Sequence, residues 1–401
     1  MIKIARSYWD AFLFIIAIMM TGFILQYAST SESLSVPSFP VNLFILLAFV
    51  GYLIFTYSLF SDKRVIAWIT SIPVTIAVIS VYTLLTLMMG FIAQEPQNHF
   101  IDRIGLTNIK GSYPFLMVTI LFLMILGYTI IKRLKNWSSL KNIAFLLNHA
   151  GLFIIIAAAS IGTGDLVRIS MPIEIGTRTD IAFDRQNQPV KLPFQIELKE
   201  FHIDEYPPEL VIFNRKTNSS VMPAGGKFPS IEEGKSGSLE SFQFEILEYH
   251  TYSKPEHAKF VPSDTFGSVH SAKVWVSDSS SDKLGWISTG NFMHEPKYLL
   301  FDDTYLVAMS EPKVLKYRSR ISIHEDSETK ASGILIEVNK PYRFNSWKIY
   351  QNSYDARQGR WSEISVFELV KDPWLPVVYA GIFMLLLGSV YLIYAGRPTN
   401  E

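Results

Sequence analysis

Residues 147–165, LNHAGLFIIIAAASIGTGD, end a run that is apolar enough to cross a membrane and lead into a long polar segment. A bilayer core about 30 Å thick requires roughly 20 apolar residues in a helix. Two polar side chains, Asn148 and His149, interrupt this run. If the helix begins near Ile143, His149 lies about 9 Å inside it. An ionisable side chain at that depth is costly, so it is expected to face a partner, a cavity or a ligand.

Five further runs of the sequence have a similar length and composition, which predicts about six transmembrane helices. The third run is unusually long and contains Pro73, so we expect a kink or a tilted segment there. The six predicted spans are residues 11–28, 43–60, 65–92, 115–131, 143–162 and 374–394.

Lysine and arginine residues orient these helices, because short cytoplasmic loops collect positive charge. With six alternating spans, four basic clusters fall on one side. They consist of Lys3, Arg6, Lys63, Arg64, Lys132, Arg133, Lys135, Lys141 and Arg397. We therefore expect both termini to be cytoplasmic and the segment after the fifth helix to be extracytoplasmic. No convincing cleavage site follows the first helix, so we expect it to be a retained anchor.

The polar segment between the last two helices reads as a β domain. It contains short alternating runs such as FQFEILEY (242–249) and SEISVFELV (362–370), separated by Pro, Gly, Asn and Ser. The predicted fold is thus an integral membrane α-helical protein with an inserted extracytoplasmic all-β domain. Three regions follow: a membrane domain with five helices at 1–163, the β domain at 164–372, and a last helix with a short tail at 373–401.

Composition excludes several classes of function. The chain has 36 Lys and Arg, 36 Asp and Glu and no cysteine. A neutral chain without a basic block does not favour nucleic acid, and disulfides, thiolate metal sites and cysteine nucleophiles are ruled out. The β domain has six histidines without metal-ligand spacing, which we interpret as surface or strand-face residues. No hydrolase or nucleotide-binding motif occurs in a supporting context, and residues 255–264 read as an exposed loop.

Two interpretations of His149 remain open from its position. A neutral imidazole can hydrogen-bond across a helix interface, with Asn148 doing the same. It can equally be an axial ligand of heme iron, with the small residues around it leaving room for a flat macrocycle. Those same small residues would also suit close helix packing.

The C-terminal part of the chain resembles the ResB family, also called CcsB, of System II cytochrome c-type biogenesis. In that family an Asn and a Pro precede a strand with Tyr-Gln, and an Asp-Pro pair opens a glycine-containing last helix. The matching positions lie within 337–355 and 366–393, and the resemblance extends to 147–165 and 192–210. These positions are Asn339, Pro341, Tyr350, Gln351, Asp372, Pro373, Gly381 and Gly388.

The resemblance implies a subunit that works with a CcsA-type partner to transport heme b across the bacterial inner (cytoplasmic) membrane. The complex would present the heme for covalent attachment to apocytochrome c, and His149 would be the candidate axial ligand. The tryptophan-rich heme-handling motif of CcsA is absent from this chain. The resemblance therefore implies one subunit of a cytochrome c synthase, or heme lyase, complex that is not catalytic alone, with heme, apocytochrome c, CcsA and membrane lipid as partners.

Two other functions are compatible with the residues. The chain can be a structural scaffold that binds no heme and stabilises a membrane partner, with His149 bonding across a helix pair. It can also be a membrane sensor whose extracytoplasmic β domain binds a ligand. The sensor interpretation is the weaker one, because only residues 397–401 follow the last helix and leave no output domain there.

Overall fold

The structure is a computed structural model that describes residues 2–29, 34–95, 99–134, 140–223, 225–326 and 328–395. The side chains of residues 2–6 and 395 are not described. Of the basic residues used above for orientation, Lys135 and Arg397 therefore lie outside the described residues, as do the side chains of Lys3 and Arg6. The chain divides into two compact units. A helical unit comprises Met1–Val167 and Lys371–Glu401, and a β unit comprises Arg168–Val370.

Eight helices form the described part of the helical unit. Six segments are long and apolar enough to cross a membrane, which confirms the expectation of about six such helices. The helices are α1 (Ile2–Ala28), α2 (Val41–Phe60), α3 (Arg64–Ile69), α4 (Ile72–Phe91), α5 (His99–Arg103), α6 (Tyr113–Leu134), α7 (Leu140–Ile161) and α8 (Leu375–Ala395).

The long third run is divided into two helices. The short helix α3 ends at Ile69, and α4 begins at Ile72 after a break at Thr70 and Ser71. Pro73 occupies the first turn of α4, where its missing N–H would have had no intrahelical acceptor. The expected irregularity at Pro73 is therefore a helix start rather than a kink within a continuous helix.

Helix α6 lies at the centre of the helical unit, where it packs against α1, α2, α4 and α7. Val118 and Ile125 on α6 are buried among apolar side chains of the neighbouring helices. The Tyr82 ring of α4 stacks on Phe115 of α6 with 5.4 Å between ring centroids. Close packing of this kind, rather than hydrophobicity alone, holds helices together in lipid.

Helices α7 and α8 approach each other so closely that their backbones touch. A Cβ atom placed on Gly151 would lie 2.6 Å from the carbonyl oxygen of Gly381 and 2.6 Å from the amide nitrogen of Leu385. A Cβ atom on Gly388 would lie 2.6 Å from the carbonyl oxygen of Ala144. Glycine at these positions is required because only hydrogen fits between the two backbones.

Asp165 lies just beyond the end of α7, and its carboxylate joins three segments of the helical unit. It accepts hydrogen bonds from the backbone N–H of Phe39 at 2.7 Å, from Asn42 Nδ2 at 2.7 Å and from Trp374 Nε1 at 2.6 Å. Phe39 and Asn42 flank the start of α2, and Trp374 directly precedes α8. Asn42 is fully buried, so the carboxylate satisfies an amide that has no access to water.

The β unit consists of seventeen strands in the described residues. They are β1 (Val167–Glu174), β2 (Arg178–Phe183), β3 (Pro189–Glu205), β4 (Leu210–Asn214), β5 (Ser219–Ser220), β6 (Ser236–Leu239), β7 (Phe242–Glu256), β8 (Lys259–Pro262), β9 (Val269–Ser277), β10 (Asp282–Ser288), β11 (Leu299–Leu300), β12 (Tyr305–Met309), β13 (Val314–Glu325), β14 (Glu328–Glu337), β15 (Tyr342–Phe344), β16 (Trp347–Tyr354) and β17 (Ile364–Lys371). The expected β domain is confirmed as a large antiparallel β-sheet region.

Three sheets are formed from these strands. The first has eight strands in the order β14-β13-β3-β2-β1-β17-β16-β15, so the first strand of the unit lies beside the last. The second has the order β10-β9-β7-β6, with β8 paired to β7, and the third has the order β11-β12-β4-β5. Alternating apolar residues fill the interior, as in β9, where Val274 and Val276 are both fully buried.

Residues 255–264 are mostly exposed, as the sequence indicated, but they form part of a hairpin and not a loop. Strands β7 and β8 form a hairpin here, with Ser253 opposite Pro262 and Glu256 opposite Lys259. The turn places His257 at a φ of 54°, and Phe260 packs with Val269 and Trp286. The proline and charged residues of the segment lie along a short edge strand, which tolerates both.

Candidate functional site

His149 lies on α7, nine residues after the helix begins and therefore about 13 Å along it. Its side chain is half-buried. The imidazole folds back along the helix and stacks on the Phe145 ring, with 3.8 Å between centroids and 21° between planes. Its Nδ1 atom lies 3.0 Å from the carbonyl oxygen of Phe145. The hydrogen bond of His149 is thus within its own helix, not across a helix interface.

This hydrogen bond determines the protonation of the ring. A carbonyl oxygen only accepts hydrogen bonds, so Nδ1 must carry the proton. In the neutral imidazole the lone pair then lies on Nε2. No polar atom of the described residues is within hydrogen-bonding distance of Nε2. In the neutral ring this geometry leaves the Nε2 lone pair free of hydrogen-bond donors from the described residues, while Nδ1 is fixed by Phe145, an arrangement that metal-binding histidines also use.

Asn148 has a different environment from its neighbour. Its Nδ2 donates to Ser389 Oγ at 2.6 Å and lies 3.4 Å from the carbonyl oxygen of Leu385, both on α8. Polar bonds of this kind hold helices together in membranes. The two polar residues that the sequence left undecided are therefore separated by the structure: Asn148 contacts α8, while His149 Nε2 has no such contact.

A positively charged side chain of α6 lies beside the first turn of α7. Arg133, in the last turn of α6, donates from Nη1 to Asn142 Oδ1 at 3.1 Å. Its Cζ lies 4.9 Å from the centroid of the Phe145 ring, a cation–π distance. Phe145 thus contacts both the guanidinium and the imidazole of His149.

An apolar groove of about 570 Å³ opens beside the Asp165 junction. Phe39, Leu43, Trp374 and Val377 contribute to its walls. The hydrogen bonds already described hold the carboxylate, and the N–H of Phe39 first, then Trp374 and Asn42, keep the pKa of Asp165 below its ordinary value. A carboxylate held in this way connects helix ends and is poorly placed to exchange protons.

The β unit contains a buried ionisable cluster that the sequence did not reveal. His270 of β9 is 4% exposed, and its Nε2 lies 3.1 Å from Glu205 Oε2 of β3 and 3.0 Å from Arg360 Nη1. Tyr249 of β7 contacts its Nδ1 at 2.8 Å. These residues come from distant parts of the chain, so no spacing motif could have identified them.

The cluster favours a neutral imidazole. Arg360 can only donate and the Glu205 carboxylate can only accept, so their two contacts with Nε2 favour opposite protonation states of that nitrogen. Burial lowers the pKa of His270, Glu205 opposes this shift, and the charge of Arg360 reinforces it. Arg360 also donates to the Thr251 carbonyl oxygen at 2.8 Å, and thereby ties the turn at 359–361 to β7.

We expect the β unit to lose stability as the pH falls below about 6.5, the ordinary pKa of histidine. Because the pKa of His270 is lower in the folded state, the unfolded chain binds the proton first, and folding is penalised by up to about 1.4 kcal/mol per pH unit. Thermal unfolding of the full chain between pH 7 and pH 5 measures this. The His270→Gln variant should show a flatter profile, whereas His257→Asn, at an exposed turn, should follow the parent. A profile unchanged in His270→Gln would contradict the expectation.

Three other histidines of the β unit also face carboxylates. His324 Nε2 lies 2.9 Å from Glu197 Oε2, and His202 Nε2 lies 3.0 Å from Asp204 Oδ1. His250 Nε2 is 3.9 Å from Glu248 Oε2. His324 is 7% exposed and His270 is 4% exposed, so these two are buried strand residues, and of the two expected settings, surface or strand face, only the second applies to them. Within the described ranges, no three His, Cys, Asp or Glu residues are grouped so that they could hold a metal ion.

Comparison with known proteins adds no relative. No protein-family model matches the chain, and no curated protein matches it either.

Proposed function

We propose that the chain is a heme-handling subunit of the ResB/CcsB type in cytochrome c biogenesis. It works with a CcsA-type membrane partner, carries heme b across the bacterial cytoplasmic membrane and presents it for attachment to apocytochrome c. The observation that carries the proposal is the free lone pair of His149 Nε2, held by the Nδ1–H bond to Phe145. A neutral imidazole fixed through its other nitrogen is a suitable axial ligand for heme iron.

The proposed orientation places both termini in the cytoplasm and the β unit outside. Its support is the distribution of charge between consecutive helices. Lys63 and Arg64 follow α2, and Lys132 and Arg133 end α6, whereas the segment between α1 and α2 contains no lysine or arginine. Basic residues next to membrane helices favour the cytoplasmic side. In this orientation His149 is in the cytoplasmic half of α7.

A scaffold function has its own supporting observation, which is the tight contact of α7 with α8. The hydrogen bond from Asn148 to Ser389 and the glycines at 151, 381 and 388 build a rigid helix pair. Such a pair could stabilise a membrane partner without binding heme. The scaffold does not require the Nε2 lone pair of His149, and this difference separates the two functions experimentally.

The test is heme content of the full chain co-purified with its CcsA-type partner. We expect His149→Gly to lower the bound heme about tenfold, the size of one lost ligand bond or charge-assisted contact. Added imidazole should restore heme binding, because it can enter the space left by the side chain. Absorbance spectroscopy measures both the content and the axial ligation.

Asn148→Ala is the matched control, since it removes the adjacent polar side chain and its bond to α8. It should weaken the helix pair and leave the histidine-type spectrum in place. Unchanged heme content in His149→Gly would exclude the ligand role. Loss of the whole complex in His149→Gly, with no rescue by imidazole, would favour the scaffold.

A further inference from the structure

The guanidinium of Arg133 carries a charge that no acid of the described residues neutralises. The side chain is exposed, and it forms no ion pair with a carboxylate of the described residues. The sequence from Lys132 to Leu147 contains no aspartate or glutamate at all. Its contacts are instead a neutral amide, that of Asn142, and the face of the Phe145 ring. Arg133 is therefore held by two neutral groups, and its charge stays available to an anion.

Arg133 and His149 both contact the ring of Phe145. Asn142, Phe145 and His149 are three and four residues apart, so they occupy one face of α7 in successive turns. Arg133 is bonded to the first of them, and His149 is the last. The Phe145 ring contacts both the imidazole and the guanidinium. Its centroid lies 3.8 Å from the centroid of the His149 ring and 4.9 Å from Cζ of Arg133.

The direction in which His149 stacks on Phe145 indicates where Arg133 would lie relative to a ligand held by His149. A metal bound through Nε2 lies in the plane of the imidazole, and a macrocycle around that metal stands perpendicular to the metal–nitrogen bond. Displacement along the stacking direction is perpendicular to the imidazole plane and therefore runs parallel to the macrocycle. Seen from His149, Phe145 and Arg133 would therefore lie toward one edge of such a macrocycle, on the side of the first turn of α7.

We propose that Arg133 binds the carboxylate side chains of the heme that His149 ligates, and so fixes which edge of the macrocycle faces the α6–α7 connection. This inference rests on the proposed function, because it requires heme at His149. Carboxylates are natural ligands of arginine, whose planar donors can bind them in a bidentate manner. The charged edge of the macrocycle would then lie beside the first turn of α7, and its apolar edge would lie along the helix.

The experiment compares heme with its dimethyl ester, which lacks the negative charges and keeps the iron. Both are titrated into the full chain in nanodiscs of zwitterionic lipid, and affinity and axial ligation are read by absorbance. We expect the parent to bind the free diacid about tenfold more tightly than the ester, as expected for a charge-assisted hydrogen bond. Arg133→Gln should bind both forms equally and keep the histidine-ligated spectrum.

Lys132→Gln is the control, because it removes an exposed charge from the same helical turn without touching Phe145. It should retain the preference for the diacid. An undiminished preference in Arg133→Gln would overturn the role of Arg133 and leave His149 as ligand. The proposed function itself would be overturned by either of two results. One is that the parent shows no histidine-type spectrum with heme or with its dimethyl ester, and the other is that this spectrum persists in His149→Ala. If the preference is lost only when anionic lipid is added, Arg133 binds lipid headgroups in competition, and the diacid preference in zwitterionic lipid still supports the proposal.

Discussion

Gly151→Leu is expected to force α7 away from α8 and to lower the free energy of unfolding by about 3 kcal/mol, the upper part of the usual range for overpacking. The reason is that the atoms nearest to a new side chain are backbone atoms. A Cβ at this position would be 2.6 Å from both the Gly381 oxygen and the Leu385 nitrogen. Neither can rotate away, so the whole of α8 must shift, and the bond from Asn148 to Ser389 is lost with it.

Gly51→Leu in α2 is the matched control. No atom lies within 4 Å of a Cβ placed there, and leucine is a better helix former than glycine. It should leave the unfolding temperature unchanged or raise it slightly. Thermal unfolding of the full chain in detergent measures both variants. Equal effects of the two substitutions would show that the α7–α8 contact is not as close as described.

Asp165→Ala is expected to lower the free energy of unfolding by about 3 kcal/mol, because it removes the acceptor of three hydrogen bonds. The buried Asn42 would lose its charged partner, and the Trp374 indole and Phe39 N–H would lose theirs. Asp165→Asn should have a smaller effect, since the amide keeps one acceptor oxygen. Asp62→Ala, which changes an exposed acidic residue between α2 and α3, should have none.

The effect of Asp165→Ala should depend on pH in a defined direction. The pKa of this carboxyl is held below its ordinary value in the folded protein. Its stabilisation is therefore complete above the ordinary pKa of about 3.9 and disappears as the pH falls through the lower, folded value. The difference between parent and variant should be full at neutral pH and shrink in acid. A difference that is constant across this range would contradict the hydrogen-bonding account.

Much of the helical unit follows from the sequence because hydropathy acts over whole segments. About twenty apolar residues in a row favour a long helix, whereas Pro73, where we expected a kink or a tilted segment, lies in the first turn of α4. What the sequence left open was the environment of each polar residue. Asn148 and His149 are adjacent and lie about 100° apart around the helix, so only the position of α8 assigns the interface to one of them.

The sequence identifies His149 as a candidate ligand, but it does not identify the residues that surround the imidazole. His149 stood out as an ionisable residue in an apolar run, whereas Arg133 reaches Phe145 from another helix. The His270 cluster was missed for the same reason, since Glu205, Tyr249 and Arg360 arrive from separate elements. Residues 255–264 were misread because a short charged hairpin at a sheet edge has the composition of a loop.

The position of β1 beside β17 has a consequence for biosynthesis. A chain that emerges from its N-terminus can pair β1 with β2 early, but the other edge of β1 must wait for a strand made almost at the end of the unit. Such long-range closure is slow, and open edges invite mispairing meanwhile. Nascent chains truncated before Ile364 should therefore be protease-sensitive and chaperone-dependent throughout the first sheet, and protection should arise abruptly once β17 is available.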